Sequence, residues 1–170
     1  MDSADYYNAI ADSYEALYRQ EQLSKLMKIL PYVNPKQSDT VLDVGAGSGI
    51  LEEQLKVSSI VAVEPSNLAD ILISKKIPNV AVEKSRFEDF RTNRKFDIVF
   101  ALTVLQDMGA DERILAVNKM FEMCKEGGKV VISVLKKSGL DYSTLGPQAK
   151  GEAENDVFFV FVKQSRDKKL

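Results

Sequence analysis

The chain has no histidine, no tryptophan and a single cysteine, Cys124, in 170 residues. Without histidine there is no imidazole to serve as general base, nucleophile activator or metal ligand. One thiol excludes an intramolecular disulfide framework and a cysteine-cluster metal site, so no metal is expected. Long apolar runs are missing too: nothing approaches the ~18–20 residues that cross a bilayer. Charge of one sign is scarce in excess, with a net value of −2. That gives no whole-chain electrostatic argument for nucleic acid or an anionic membrane. Met1-Asp2-Ser3-Ala4-Asp5 is acidic and polar, unlike a signal peptide, and a cytoplasmic protein is the expectation. No internal repeat or low-complexity segment is present, and the length favours one domain.

What is present centres on Val41-Leu42-Asp43-Val44-Gly45-Ala46-Gly47-Ser48-Gly49. An apolar strand runs into a glycine-rich turn, which opens a helix over 50–56. Glycines at alternate positions let a ligand approach the backbone closely. Asp43 falls at the carboxyl end of the strand, where open α/β sheets bind ligands. The dinucleotide fingerprint G-x-G-x-x-G is broken, because Ile50 stands where its third glycine belongs. A carboxylate two residues before the first glycine repels a pyrophosphate and favours a cationic group. Glu64 ends the next strand, placed to accept hydrogen bonds from two ribose hydroxyls. Pro65 fixes the turn after it.

Along the rest of the chain, strands are expected at 41–44, 60–64, 80–83, 96–101 and 129–135. Each is short, rich in β-branched residues and apolar on both faces, as in a parallel sheet covered on both sides. Helices are expected at 50–56, 68–75 and 111–124, with a short piece near Phe87. Gly127-Gly128 reads as the turn ending the last helix. Residues 136–155 show little apolar periodicity, and 157–162 read as one antiparallel strand. These elements predict a Rossmann-like, doubly wound, mostly parallel sheet, shortened at its C-terminus with one strand missing or very short. Residues 5–30 read as one or two helices, ended by Pro31 because proline disfavours a helical residue before it. Four of the six tyrosines lie in the first 18 residues. They form an aromatic face that packs on the core or closes over a ligand. The expected division is a helical cap over 1–35 and one compact domain over 36–165.

Four ordered segments then carry a resemblance: Val41–Gly49, Val61-Ala62-Val63-Glu64-Pro65-Ser66, Phe96-Asp97-Ile98-Val99-Phe100-Ala101-Leu102, and Gly127-Gly128-Lys129-Val130-Val131-Ile132-Ser133. Together they resemble the motifs of class I S-adenosylmethionine-dependent methyltransferases. The segment 7–15 is similar to the first helix of the small-molecule branch, which includes the ubiquinone and menaquinone biosynthesis enzymes. The resemblance implies S-adenosylmethionine as cofactor, with S-adenosylhomocysteine as product. It implies that Gly45, Ala46, Gly47 and Gly49 face the methionine part and that Asp43 orients its ammonium. Glu64 would hold the ribose, Pro65 and Ser66 would flank the adenine, and Ser85, Arg86 and Phe87 would cover its edge. Ser85 replaces an aspartate found in many relatives. Ala101 and Leu102 would lie beside the methionine chain, and Tyr14, with Tyr7 and Tyr18, would close the site.

Methyl transfer from a sulfonium needs alignment more than acid–base chemistry, and a base only where the acceptor holds its proton tightly. Relatives in this branch often carry histidines after the fourth strand; here Gln106 and Asp107 stand there, and they are the candidate catalytic pair. The Asp/Asn-Pro-Pro-Tyr/Phe pattern of nucleobase amino-group methyltransferases is absent, since Leu102-Thr103-Val104-Leu105 occupies its place. With no long insertion, the acceptor pocket is expected to be shallow, completed by a second subunit as a homodimer, or shaped by a protein or RNA partner. A small-molecule acceptor is the first expectation. Two other readings are a cofactor-binding module without turnover and a nicotinamide-dependent oxidoreductase; Asp43 and Ile50 count against the latter.

Overall fold

The computed structural model describes residues 3–164; the charged end over 163–170, which its composition predicts to fray, lies mostly outside the described residues. Two helices come first, α1 (Ser3–Ile10) and α2 (Tyr14–Val33), joined by a 3-10 turn at Ala11–Ser13. Pro31 does not end α2, which runs on to Val33. Leu26, Ile29 and Val33 form its buried stripe, so apolar burial holds the last turn in helical form. The carbonyl that proline leaves without a donor belongs to Met27, which is exposed and can be met by water. Asn34 then closes the helix in the left-handed region, φ 51°, donating its N–H to Leu30 O at 2.8 Å.

The sheet has seven strands: β1 (Thr40–Val44), β2 (Ser59–Val63), β3 (Val80–Glu83), β4 (Phe96–Leu102), β5 (Cys124–Leu135), β6 (Ala149–Ala153) and β7 (Asp156–Val162). Their spatial order is β3-β2-β1-β4-β5-β7-β6. The first five run parallel, β7 pairs antiparallel with β5, and β6 pairs antiparallel with β7. Both faces are covered. Val41, Ile98, Phe100, Phe158 and Val160 pack under α2 and α3 (Ile50–Gln54). Leu42, Val99, Val130, Ile132, Phe159 and Phe161 pack under α5 (Ala110–Met123). The alternation along β7 shows the reason: its successive residues point to opposite, equally dry faces. Helix α4 (Leu68–Ser74) buries Leu68, Ala69 and Leu72.

Several sequence expectations need correction. No strand is missing: β6, with sequence Ala-Lys-Gly-Glu-Ala, forms the edge. Nothing in its own pattern marks it; it exists because β7 offers a partner. Gly151 is required there, since a Cβ would lie 2.7 Å from the Phe158 ring. Gly127-Gly128 is not the turn that ends α5. The helix stops at Met123, Cys124 is already extended, and the glycines lie inside β5. The pairing with β4 shifts between Phe96 and Ile98 there, as in a bulge. A Cβ on Gly128 would meet Asp97 O at 2.7 Å, so the chain approaches too closely for any side chain. The segment near Phe87 is a turn, not a helix, and α3 stops at Gln54.

Candidate functional site

The strand order reverses between β1 and β4, so the chain leaves these neighbours in opposite directions and opens a crevice at their carboxyl ends. A cavity of about 950 Å³ occupies it. The glycine loop forms one wall, with Asp43, Gly45, Ala46 and Gly47 on the surface of the cavity. The loop is tied to β2: Gly45 and Ala46 both donate their N–H to Val63 O, at 2.8 and 3.2 Å. Gly47 has φ +58°, and a Cβ there would point at Tyr14 Oη, 3.5 Å away. The loop and the α2 tyrosine therefore lie close together, and both line the cavity.

Glu64 lies just past β2, buried, on the cavity wall. Its carboxylate accepts N–H from Gly47 at 2.9 Å and from Ser66 at 2.9 Å, and the Ser66 hydroxyl at 2.5 Å. Gly47 N–H, expected to face a ligand, is thus already spent on Glu64. Ser66 is buried behind Glu64 and off the wall, so it orients the carboxylate. Pro65, Arg86 and Phe87 line the far end. Lys119 Nζ sits 4.6 Å above the centre of the Phe87 ring and donates to Phe90 O at 2.7 Å, holding that turn closed.

Three other expected residues do not reach the cavity wall. Gly49 is needed for packing, because a Cβ would lie 2.2 Å from Leu72 Cδ1. Ala101 is paired inside β4 with Ile132. Ser85 is turned inward, its hydroxyl buried with no hydrogen-bond partner.

The remaining walls come from Tyr7, Tyr14 and Tyr18 on one side and Leu102, Gln106 and Asp107 on the other. Tyr7 and Tyr14 pack edge to face, ring centres 6.0 Å apart, and burial pushes both phenols up, so they stay neutral. Helix α1 is docked by Asn8, whose Oδ1 accepts Asn67 N–H at 2.7 Å. Gln106 donates Nε2–H to Thr103 O at 2.6 Å, leaving Oε1 buried with no donor. Burial raises the Asp107 carboxyl above its ordinary value. The cavity is not shallow: residues of α1 and α2 of the same chain line it opposite the loop after β4.

Two constellations escape sequence reasoning. The first is Lys25–Asp156. Lys25 Nζ lies 3.0 Å from Asp156 Oδ2 and donates to Thr103 Oγ1 at 2.6 Å. Thr103 and Ser133 hydroxyls donate to the same Oδ2, each at 2.6 Å. Thr103 has φ 59°, rare for a β-branched residue, directly after β4 where the acceptor loop begins. Lys25 precedes Ile29 by one helical turn on the buried stripe, and that spacing is the signal that could have found it. The second is Asp43 with Glu52, two buried acids on either side of the glycine loop. Burial raises both carboxyls, and each also feels its acidic neighbours.

With this geometry described, comparison with known proteins gives consistent results. A family model described as a methyltransferase domain matches residues 14–165. An uncharacterised methyltransferase of Bacillus cereus (strain 03BB102) is 23% identical over 133 residues, covering 76% of this chain and 62% of the relative. The chain therefore spans about three-fifths of the length of such curated relatives. Magnesium protoporphyrin IX methyltransferase from Synechocystis PCC 6803, solved with bound SAM, superposes with TM-score 0.76 at 13% identity, covering 95% of each chain. An RNA methyltransferase from Salinibacter ruber, in complex with S-adenosyl-L-homocysteine, superposes with TM-score 0.66 at 14% identity, covering 85% of this chain and 94% of its own. Identities this low establish a shared Rossmann-like fold and say nothing of the acceptor.

Proposed function

The chain belongs to the methyltransferase-domain family, and from that premise we propose that it binds S-adenosylmethionine and transfers the methyl group to a small-molecule acceptor. The observation that carries the reading is the pairing of Asp43 and Glu64, two buried carboxyls on one cavity wall separated by the glycine loop. Glu64 repels a pyrophosphate, and Asp43 offers it neither a donor array nor a cation. A nucleoside bearing an amino acid offers ribose hydroxyls to one and an ammonium to the other. The residues fit that group: Asp43, Gly45, Ala46, Glu64 and Pro65 all lie on the wall of one cavity, so a single ligand can touch the glycine loop and both carboxyls.

When bound, the cofactor supplies a methyl group on a positively charged sulfur, already activated for in-line displacement. The chain's own contribution is positioning. Glu64, held by Gly47 and Ser66, would fix the ribose end, and Asp43 the amino-acid end. Tyr7 and Tyr14 would close over the cavity and exclude water. The Asp107 carboxyl can accept N–H or O–H from the acceptor and hold its nucleophilic atom in line, while Gln106, bonded to Thr103 O, would position the loop that carries it. At about 950 Å³ the cavity is near the top of the ~300–1,000 Å³ range of small-molecule sites, enough for donor and acceptor side by side. The roof supplied by α1 and α2 favours a small acceptor over a macromolecule.

The test is calorimetry of the full chain with S-adenosylhomocysteine and, separately, NAD, followed by transfer of labelled methyl to a panel of small amines, phenols and carboxylates. Binding of NAD alone would refute the reading. Homocysteine-nucleoside binding with no transfer to any acceptor would leave a binding module. Asp107→Asn should lower kcat with little change in cofactor affinity.

A further inference from the structure

Asp43 and Glu52 form a pair that the positioning scheme above uses only in half. Asp43 ends β1 on the cavity wall, and Glu52 sits behind it in the first turn of α3. They are 3% and 1% exposed. Neither Glu52 oxygen has a well-formed hydrogen bond among the described residues, and the one backbone N–H near them is Glu52's own. The carboxyl within hydrogen-bonding reach is that of Asp43. Two charges ~4 Å apart cost ~4 kcal/mol even at an effective dielectric of ~20, so two bare carboxylates cannot share this site. The pair needs a proton between them.

The surroundings do not replace that proton. Glu64 faces Asp43 from the end of β2, and the Tyr14 hydroxyl faces it from α2. Glu53 and Lys75 lie on the Glu52 side. Lys75 is engaged by Glu53 at 2.9 Å and by Glu15. Asp43, with the proton on it, presents no full negative charge to the cavity.

We propose that Glu52 is a positioning residue acting through Asp43: it receives the Asp43 proton when the ammonium group of a bound amino-acid-bearing nucleoside arrives, leaving Asp43 anionic at the cavity wall. This rests on the S-adenosylmethionine reading. The proton moves from Asp43 Oδ to Glu52 Oε, and no other bond changes. Where both carboxyls start protonated, one proton leaves to solvent instead.

The sign of the pH effect follows. Burial raises Glu52 to about 7 and lifts Asp43 well above its ordinary value. Below that value the pair is doubly protonated, so ligand binding must release a proton and affinity falls as pH falls. Above it, the transfer is internal and affinity levels off.

The experiment is calorimetric titration of the full chain with S-adenosylhomocysteine between pH 5.5 and 7.5, in buffers of different ionisation enthalpy. The expected result is release of close to one proton near pH 6 and affinity about 10- to 30-fold weaker at pH 5.5 than at 7.5. In Glu52→Gln the amide donates to Asp43 and keeps it ionised. Its affinity should then vary less than about threefold over the same range, with no proton release. Glu53→Gln, altering an acid held by Arg19 and Lys75, should keep the wild-type slope. Asp107, the other raised carboxyl on the cavity, is intact in Glu52→Gln, so loss of the slope in that variant excludes Asp107 as its source. S-adenosylhomocysteine binding with pH-independent affinity, or with the slope intact in Glu52→Gln, overturns the proposal while the cofactor reading stands. If the variant does not fold, absence of proton release in the wild type at pH 6 overturns it equally. No binding at any pH overturns both.

Discussion

Replacing Asp156 by asparagine tests how far a buried ion pair organises the loop after β4. Asp156 is fully buried, and its Oδ2 receives the Lys25 ammonium at 3.0 Å and the Thr103 and Ser133 hydroxyls at 2.6 Å. These partners come from α2, from the end of β4 and from β5, so one atom ties three elements to β7. Asparagine keeps the shape and removes the charge, leaving the Lys25 ammonium buried without compensation. Breaking one side of such a pair costs about 3–5 kcal/mol. For a chain of this size each kcal/mol shifts Tm by roughly 2–4 °C, so the expected drop is about 6–20 °C. Thr103 holds a strained backbone conformation worth about 1–3 kcal/mol, which these bonds sustain. Its release would also displace Gln106, bonded to Thr103 O. The assay is scanning calorimetry at pH 7 on wild type, Asp156→Asn and the double variant Lys25→Met with Asp156→Leu. The double variant removes both charges and should recover at least half of the loss. A single variant within 2 °C of wild type would refute the reasoning, because an uncompensated ammonium at that site cannot be neutral in cost.

Glu64→Ala should weaken S-adenosylhomocysteine binding by about 1–3 kcal/mol, since it removes charge-assisted bonds and frees Gly47 N–H; unchanged affinity by calorimetry would place the ribose elsewhere. Gly49→Ala should destabilise the fold by at least about 1–3 kcal/mol in urea unfolding, because its φ is +88° and Leu72 stands in the way. Adding Leu72→Ala should relieve only the clash and leave the backbone cost. Between about pH 5 and 7 the ligand-free protein should lose stability as pH rises. The sign is set by Asp43 and Glu52, whose raised folded-state values favour the protonated form, so their contribution fades as pH passes through about 7. Glu52→Gln should flatten that slope in thermal melts.

The strands were legible because each parallel strand is apolar on two faces, and Val41–Val44 and Phe96–Leu102 could hardly be anything else. The glycine-loop wall of the cavity was legible because its residues follow one another closely around a single turn. The edge strand was not. Ala149–Ala153 has no apolar pattern, and its pairing with β7 is a tertiary fact. Pro31 misled because propensity was weighed without the burial of Ile29 and Val33 that overrides it. Lys25 and Asp156 are distant in sequence, and no local spacing brings them together. Glu52 was hidden by ordinary company: in a short polar helix beside Glu53, it looks like a solvated acid.

The two N-terminal helices, expected as one cap, differ in what holds them. α2 buries Lys25, Leu26, Ile29 and Val33 and is pinned further along by Ser24 and Lys28, which both donate to Glu154 at 2.5 and 2.8 Å. Its first turns carry Glu15 and Arg19, which join Lys75 and Glu53 in a network of ion pairs. Opening the cavity by lifting α2 would break all of these together. α1 has no fully buried residue among those described, and it is held by Asn8 on Asn67 N–H and by tyrosine ring contacts. The 3-10 turn at Ala11–Ser13 separates the two helices. Access to the cavity therefore runs through movement of α1 about that turn, with α2 as the fixed jamb carrying Tyr14. Amide exchange should be faster throughout α1 than in α2, and S-adenosylhomocysteine should slow α1 most. Equal protection of the two helices in the ligand-free protein would mean that they move as one body and that the cavity opens elsewhere.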